Sequence, residues 1–267
     1  MTGVASVIAA RKAAGSGALI GYLPAGFPDL RTSIEAAVAI AENGVDVIEL
    51  GLPYSDPVMD GSVIQAATLQ ALNAGFRIRD GIDAVAEITS RVNVPVLVMT
   101  YWNPVVQYGV DRFADELLAA DGSGLITPDL IPDEGAEWIA AAELNDLDRV
   151  FLVAPSSTSQ RLRSTTSACR GFVYAASTMG VTGARTTVGD TAEVLVTRAR
   201  LMTETPICVG LGVSTGAQAA QVAAFADGVI VGSALVRCLA DAVSRAEGLA
   251  AVRKLSTELA AGVRAGR

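Results

Sequence analysis

Glu49, Asp56 and Asp60 stand out in the segment VDVIELGLPYSDPVMDG, residues 45–61. Under the period-two alternation of a strand, Val45, Val47 and Glu49 share one face, while Ile48 and Leu50 share the other. A Glu at the end of an apolar strand is costly to bury as a charge, so it is either paired or keeps its proton to a higher pH than usual. A carboxyl of the second kind delivers a proton near neutral pH. The alternative is a polar pair within the core, although the segment itself offers no Lys or Arg. Asp56 and Asp60 lie in a loop with two prolines, and Asp60 precedes Gly61. Each Asp alone reads as a turn or helix N-cap residue. Beside Glu49 they also supply a second carboxyl in an unlike environment, which is how acid and base roles are divided. The chain has no histidine. Ser-His-Asp and Cys-His nucleophiles, His-ligated zinc and imidazole acid–base chemistry are thereby excluded. Carboxylates, Tyr, Lys or backbone amides must carry any catalysis.

Late in the chain three glycine segments recur: MGVTGAR (179–185), VGLGVS (209–214) and VGSALV (231–236). Each glycine alone suits a turn. Together, at successive strand ends, they suggest a phosphate site built from main-chain N–H groups at helix starts. The MGVTGARTTVGD stretch also has the small, polar composition of a lid. Tyr22, Tyr101 and Tyr174 fall at or near strand ends, with YWNP (101–104) and TPDLIP (127–132) following two of those strands. Singly they suit ordinary aromatic packing; as a set they could line a pocket for a flat aromatic substrate.

The elements that must position these groups follow from the apolar pattern. Strands are predicted at 18–24, 45–51, 94–101, 124–129, 148–155, 171–177, 206–213 and 227–235, mostly apolar on both faces as in parallel sheets covered by helices. Helices are predicted at 31–42, 62–73, 80–91, 110–120, 133–143, 159–168, 189–200, 214–223 and 245–262, with an extra N-terminal helix at 4–14. Eight evenly spaced βα units point to a single (β/α)8 TIM barrel domain over 1–267 rather than an open doubly wound sheet, for which no GxGxxG follows the first strand. The insertion after the second strand, a Pro- and Asp-rich loop and two helices, falls on the C-terminal face where barrels place active sites. A net charge of −8 without any basic block argues against nucleic acid and anionic membrane as partners. The three cysteines, Cys169, Cys208 and Cys238, are far apart and lack metal-ligand spacing, so they read as free thiols in a reducing compartment. No signal peptide and no membrane-spanning run is expected, which places the chain in the cytoplasm.

The sequence resembles the alpha subunit of tryptophan synthase along nearly its whole length. The resemblance rests on GYLPAGFP (21–28), ELGLPYSDPVMDG (49–61), IQAA (64–67), MTYWNP (99–104), PDLIPDE (128–134), GVTGAR (180–185), GLGVS (210–214) and GVIVGSAL (228–235). It implies cleavage of indole-3-glycerol phosphate to indole and glyceraldehyde 3-phosphate, with Glu49 and Asp60 as the catalytic carboxylates. It assigns phosphate binding to Gly183, Gly210, Gly212, Gly232 and Ser233, and the active-site Tyr and loop Thr to Tyr174 and Thr182. It assigns coupling to a beta subunit to Asp56. The partner implied is that pyridoxal-phosphate-dependent beta subunit, in an alpha2beta2 assembly with a tunnel for indole; no metal or organic cofactor is implied in this chain. PDLIPDE carries one residue more than the commoner family pattern, and Trp102 puts a large ring beside the substrate-side end of the third strand. Other readings stay open from sequence: a phosphate-binding isomerase or synthase acting on an anthranilate ribotide, which would need a Lys or Cys at a strand end, a non-catalytic regulator of a beta subunit, or a stand-alone indole-releasing lyase.

Overall fold

Alternation along each strand sorts the side chains into two cores. On β1 (Ala18–Pro24), Ala18 and Ile20 belong to a small inner cluster, while Leu19 and Leu23 join the larger outer one. On β5 (Asp148–Val153), Val150 and Leu152 go inward while Phe151 and Val153 go outward. The remaining strands are β2 (Val47–Gly51), β3 (Val96–Met99), β4 (Gly124–Thr127), β6 (Val173–Ala176), β7 (Ile207–Gly210) and β8 (Gly228–Val231). In the computed structural model, which describes residues 3–176, 190–210 and 212–266, the eight strands pair in parallel in chain order and β8 closes on β1. This is a (β/α)8 barrel, and its register sets Tyr22 opposite Glu49 and Tyr174 opposite Cys208.

Helices cover the outside. They are α1 (Val4–Ala13), α2 (Leu30–Glu42), α3 (Ser62–Asn73), α4 (Ile78–Thr89), α5 (Trp102–Tyr108), α6 (Val110–Ala119), α7 (Ala136–Leu144), α8 (Ser159–Ala168), α9 (Asp190–Arg200), α10 (Gly216–Ala223), α11 (Ser233–Ala240) and α12 (Arg245–Ala265). Helical spacing of the apolar residues gives each helix a buried stripe, as with Ile82, Val85 and Ile88 of α4. Polar residues set several starts: the Asp29 carboxylate accepts the Thr32 N–H at 2.8 Å and begins α2.

The two helices expected after the second strand are α3 and α4. The expected helix at 133–143 begins instead with a 3-10 turn at Pro132–Glu134, and the α-helix proper follows from Ala136. The predicted strand at 94–101 stops at Met99, and the YWNP segment starts α5, a helix that the sequence reading did not contain. Its cause is remote: the Asp129 carboxylate accepts the Trp102 N–H at 2.9 Å. The last predicted strand is likewise cut at Val231, because Ser233 already begins α11.

The N-terminal helix closes the bottom of the barrel. Val4 and Ile8 of α1 are fully buried in the inner cluster with Ile20, Val47, Leu97, Ile126, Val150 and Phe172. Carboxylates at strand starts hold it there. Asp46 accepts Arg11 Nε at 2.7 Å and the Leu19 N–H at 2.8 Å. Asp227 lies 3.2 Å from Lys12 and accepts the Ile207 N–H at 3.0 Å. Asp148, at the start of β5, pairs with Arg170 at 3.4 Å. With Val4 and Ile8 filling the lower mouth, the described residues leave the barrel interior open toward the strands' C-terminal ends.

Candidate functional site

Glu49 is the next inward residue above Val47 on β2, and it is completely buried. Neither of its carboxyl oxygens has a hydrogen-bond partner among the described residues. The paired-carboxylate alternative is thus not realised. Burial alone pushes the Glu49 carboxyl from its ordinary 4.5 up to about 8, because nothing nearby compensates the loss of water around the charged form. At neutral pH the group keeps its proton.

It sits in a cavity of about 790 Å³, counted out to its open mouth, at the C-terminal face of the barrel. Apolar walls come from Met99, Leu152 and Ile230, and the far rim from Gly210, Gly212, Gly232 and Ser233. Tyr22, Tyr174, Met59 and Asp60 complete the enclosure. Gly232 is the N-cap of α11, so the first N–H groups of that helix have no partner within it and face the rim. Among the described residues no Lys or Arg lines the cavity.

Asp60 reaches this space from the loop after β2. It does not cap α3; Gly61 holds that position. Its carboxylate instead accepts the Tyr101 hydroxyl at 3.2 Å, while the same hydroxyl accepts the Met59 N–H at 3.0 Å. Tyr101 packs its ring on Tyr54, centroids 5.2 Å apart, and Asn103 Nδ2 donates to the Tyr54 hydroxyl at 3.4 Å. Tyr101, expected to line the substrate pocket, is not among the described residues of the cavity wall, and it holds the loop through Asp60 and Met59 by two hydrogen bonds. Burial raises the Asp60 carboxyl above its ordinary 3.8, against the lowering effect of the Tyr101 bond.

The glycines have a role beyond the rim. A Cβ on Gly51 would lie 2.3 Å from the Tyr22 hydroxyl, and one on Gly210 would lie 2.6 Å from the Tyr174 hydroxyl. Only glycine lets these two rings lie against the strand ends. Gly51 belongs to the acidic motif, yet its sequence neighbourhood shows nothing of this contact, which comes from the register of β1 on β2.

Asp56 is exposed and accepts the Ser55 hydroxyl at 2.5 Å, on the same loop but outside the cavity wall. Trp102, half-buried against the outer core, does not line the cavity either. Thr182, Gly183 and the proposed lid lie outside the described residues. Among the described residues no cluster of His, Cys, Asp or Glu could hold a metal ion, and no helix is long and apolar enough to cross a membrane.

Comparison with known proteins bears on this arrangement. The family model described as tryptophan synthase alpha chain matches residues 8–264. The tryptophan synthase alpha chain of Leifsonia xyli is 66% identical over 262 residues, covering 98% of both chains. That of Mycobacterium avium is 60% identical over 247 residues, covering 92% of this chain and 89% of the other. Among solved structures, a chain of Mycobacterium tuberculosis tryptophan synthase superimposes with a TM-score of 0.92 at 55% identity, covering 98% of each chain. A chain of the Pyrococcus furiosus tryptophan synthase complex gives 0.84 at 33% identity, covering 91% of this chain and 98% of the other.

Proposed function

This chain belongs to the tryptophan synthase alpha chain family, and from that premise we propose how its residues carry the family's reaction, the cleavage of indole-3-glycerol phosphate to indole and glyceraldehyde 3-phosphate. The bond to be broken joins indole C3 to the glycerol side chain. Protonation of C3 converts the ring into an electron sink. Glu49, buried and still protonated at neutral pH, is the acid placed for that step. Asp60, which lines the same cavity, accepts the indole N–H and stabilises the positive charge that develops at nitrogen. Glu49, now a carboxylate, then takes the proton from the adjacent side-chain hydroxyl. The O–H electrons form the aldehyde, the C3–C bond electrons return to the ring, and Glu49 regains its proton.

Gly210, Gly212, Gly232 and Ser233 are positioned to receive the phosphate through main-chain N–H groups, and Thr182 and Gly183 are assigned to the same end of the substrate. Tyr174 and Tyr22 would enclose the indole and its side chain. The chain needs no metal or organic cofactor for this chemistry, because two carboxyls in unlike environments and an amide-lined rim supply each proton and charge it requires. One observation carries the reading: a fully buried, unpartnered glutamic acid opens onto a cavity shared with an aspartate and bounded by strand-end glycines.

The partner follows from the company of the fold. The Pyrococcus furiosus relative is described as part of a tryptophan synthase complex. We assign to this chain a pyridoxal-phosphate-dependent beta subunit in an alpha2beta2 assembly that receives the indole for L-tryptophan synthesis. The exposed Asp56 and Val58 extend the loop that carries Asp60, which makes that loop the contact able to couple the two subunits. A cytoplasmic site is in keeping with this biosynthetic role.

The test is indole release from indole-3-glycerol phosphate by purified variants. Glu49→Gln and Asp60→Asn should each lower turnover by about 10²-fold or more, with unchanged circular dichroism. Near-normal turnover in either variant would remove that residue from the mechanism.

A further inference from the structure

The Tyr22 hydroxyl has no place in the mechanism as written, yet Tyr22 is buried and lines the cavity beside Glu49. Tyr22 pairs in register with Glu49 on the adjacent strand, so both side chains point inward side by side. Its Cβ, Cγ and Cδ1 lie against Gly232, and its hydroxyl lies over Gly51, the next inward residue above Glu49. The ring thus leans from the phosphate rim to the strand that carries the acid, and the hydroxyl ends against Gly51, one inward position beyond Glu49. Tyr22 is 7% exposed and lines the cavity. Its hydroxyl makes no hydrogen bond to any described residue.

The mechanism creates a demand at this place. Once Glu49 has given its proton to indole C3 it is a carboxylate in a buried site, and an unpartnered buried charge is strongly disfavoured. Among the described residues no cation lines the cavity. The side-chain donors on the wall among the described residues are Tyr22, Tyr174 and Ser233, and of these Tyr22 stands in register with Glu49, while Tyr174 sits on β6 and Ser233 on the phosphate rim. Resting on the acid–base role of Glu49 given above, we propose that the Tyr22 hydroxyl donates a hydrogen bond to the Glu49 carboxylate formed by the first proton transfer and holds it aligned for the second. Tyr22 gives up no proton. Burial and the neighbouring Asp60 and Glu49 charges hold its phenol well above the usual range, so it remains a donor throughout. It is a positioning residue that acts through Glu49.

Tyr22→Phe removes the hydroxyl and keeps the ring. It should lower kcat by about 10- to 100-fold, the effect of losing one hydrogen bond to a charged group, with KM within about twofold. The hydroxyl favours the ionised form of Glu49, so its loss should move the alkaline limb of the kcat/KM profile to higher pH by about one unit. An infrared difference titration of the buried carboxyl, wild type against Glu49→Gln in each background, reads the same shift without turnover. The inference is overturned if Tyr22→Phe leaves both the limb and kcat unchanged, if only KM moves, or if Tyr174→Phe and not Tyr22→Phe displaces the Glu49 titration. If Glu49→Gln itself stays active, the parent mechanism fails; if Glu49→Gln is inactive and Tyr22→Phe behaves as wild type, this inference alone fails.

Discussion

At the scale of single residues, Glu49 shows how burial converts an ordinary side chain into a reagent. The folded state holds its proton up to about 8, whereas an unfolded chain releases it near 4.5. The contribution of this group to stability is therefore fully present below about 4.5 and is lost as the pH rises through 8. Glu49→Gln has no such titration. Its stability relative to wild type should rise between about pH 5 and pH 9, by on the order of 4 kcal/mol at most, read as the difference in denaturant midpoints at the two pH values. A constant difference would show that Glu49 ionises normally in the fold. The acid itself was legible in the sequence, because a Glu in an apolar strand has few explanations. The function of Tyr101 was not. Its bond to Asp60 joins residues 41 positions apart, and its placement at a strand end suggested a wall of the pocket without showing that it also braces the Asp60 loop.

At the scale of elements, the eight strands were readable from β-branched runs, and the insertion of α3 and α4 from the length of the second gap. The helix α5 was hidden for two reasons. It has only seven residues, with Pro104 in its first turn, and its first N–H is satisfied by Asp129 from beyond the next strand. The tyrosine–glycine contacts at Gly51 and Gly210 were hidden for a related reason: they depend on which strands lie side by side, and a glycine motif read along the chain suggests only a phosphate. The N-terminal helix was visible as a helix but not as a plug. Its seat depends on Asp46, 4% exposed, which accepts both Arg11 and the Leu19 N–H. Asp46→Ala should cost about 2–4 kcal/mol, because it strands a buried N–H and an arginine. Arg11→Ala, at a partly exposed guanidinium, should cost about 1 kcal/mol or less. Urea unfolding of the two variants checks the ranking, and equal losses would mean that the ion pair, rather than the buried amide bond, is what holds α1.

At the scale of the whole molecule, a closed lower mouth and an open upper one direct substrate, product and partner to a single face. With α1 filling the lower mouth, the open upper face carries both carboxyls, the glycine rim and the exposed Asp56 loop. Handing indole to a second subunit at that face needs no motion through the barrel. The central claim is that a proton kept by burial on Glu49 begins the cleavage. The most direct measurement of it is the pH dependence of kcat/KM for indole release from indole-3-glycerol phosphate by the purified chain, wild type beside Glu49→Gln. The expected wild-type profile is a bell with its acid limb above the ordinary 3.8 of Asp60 and its alkaline limb near 8, over a Glu49→Gln baseline at least about 10²-fold lower. A wild-type rate that stays flat through pH 8, or a Glu49→Gln rate that approaches it, would contradict the account.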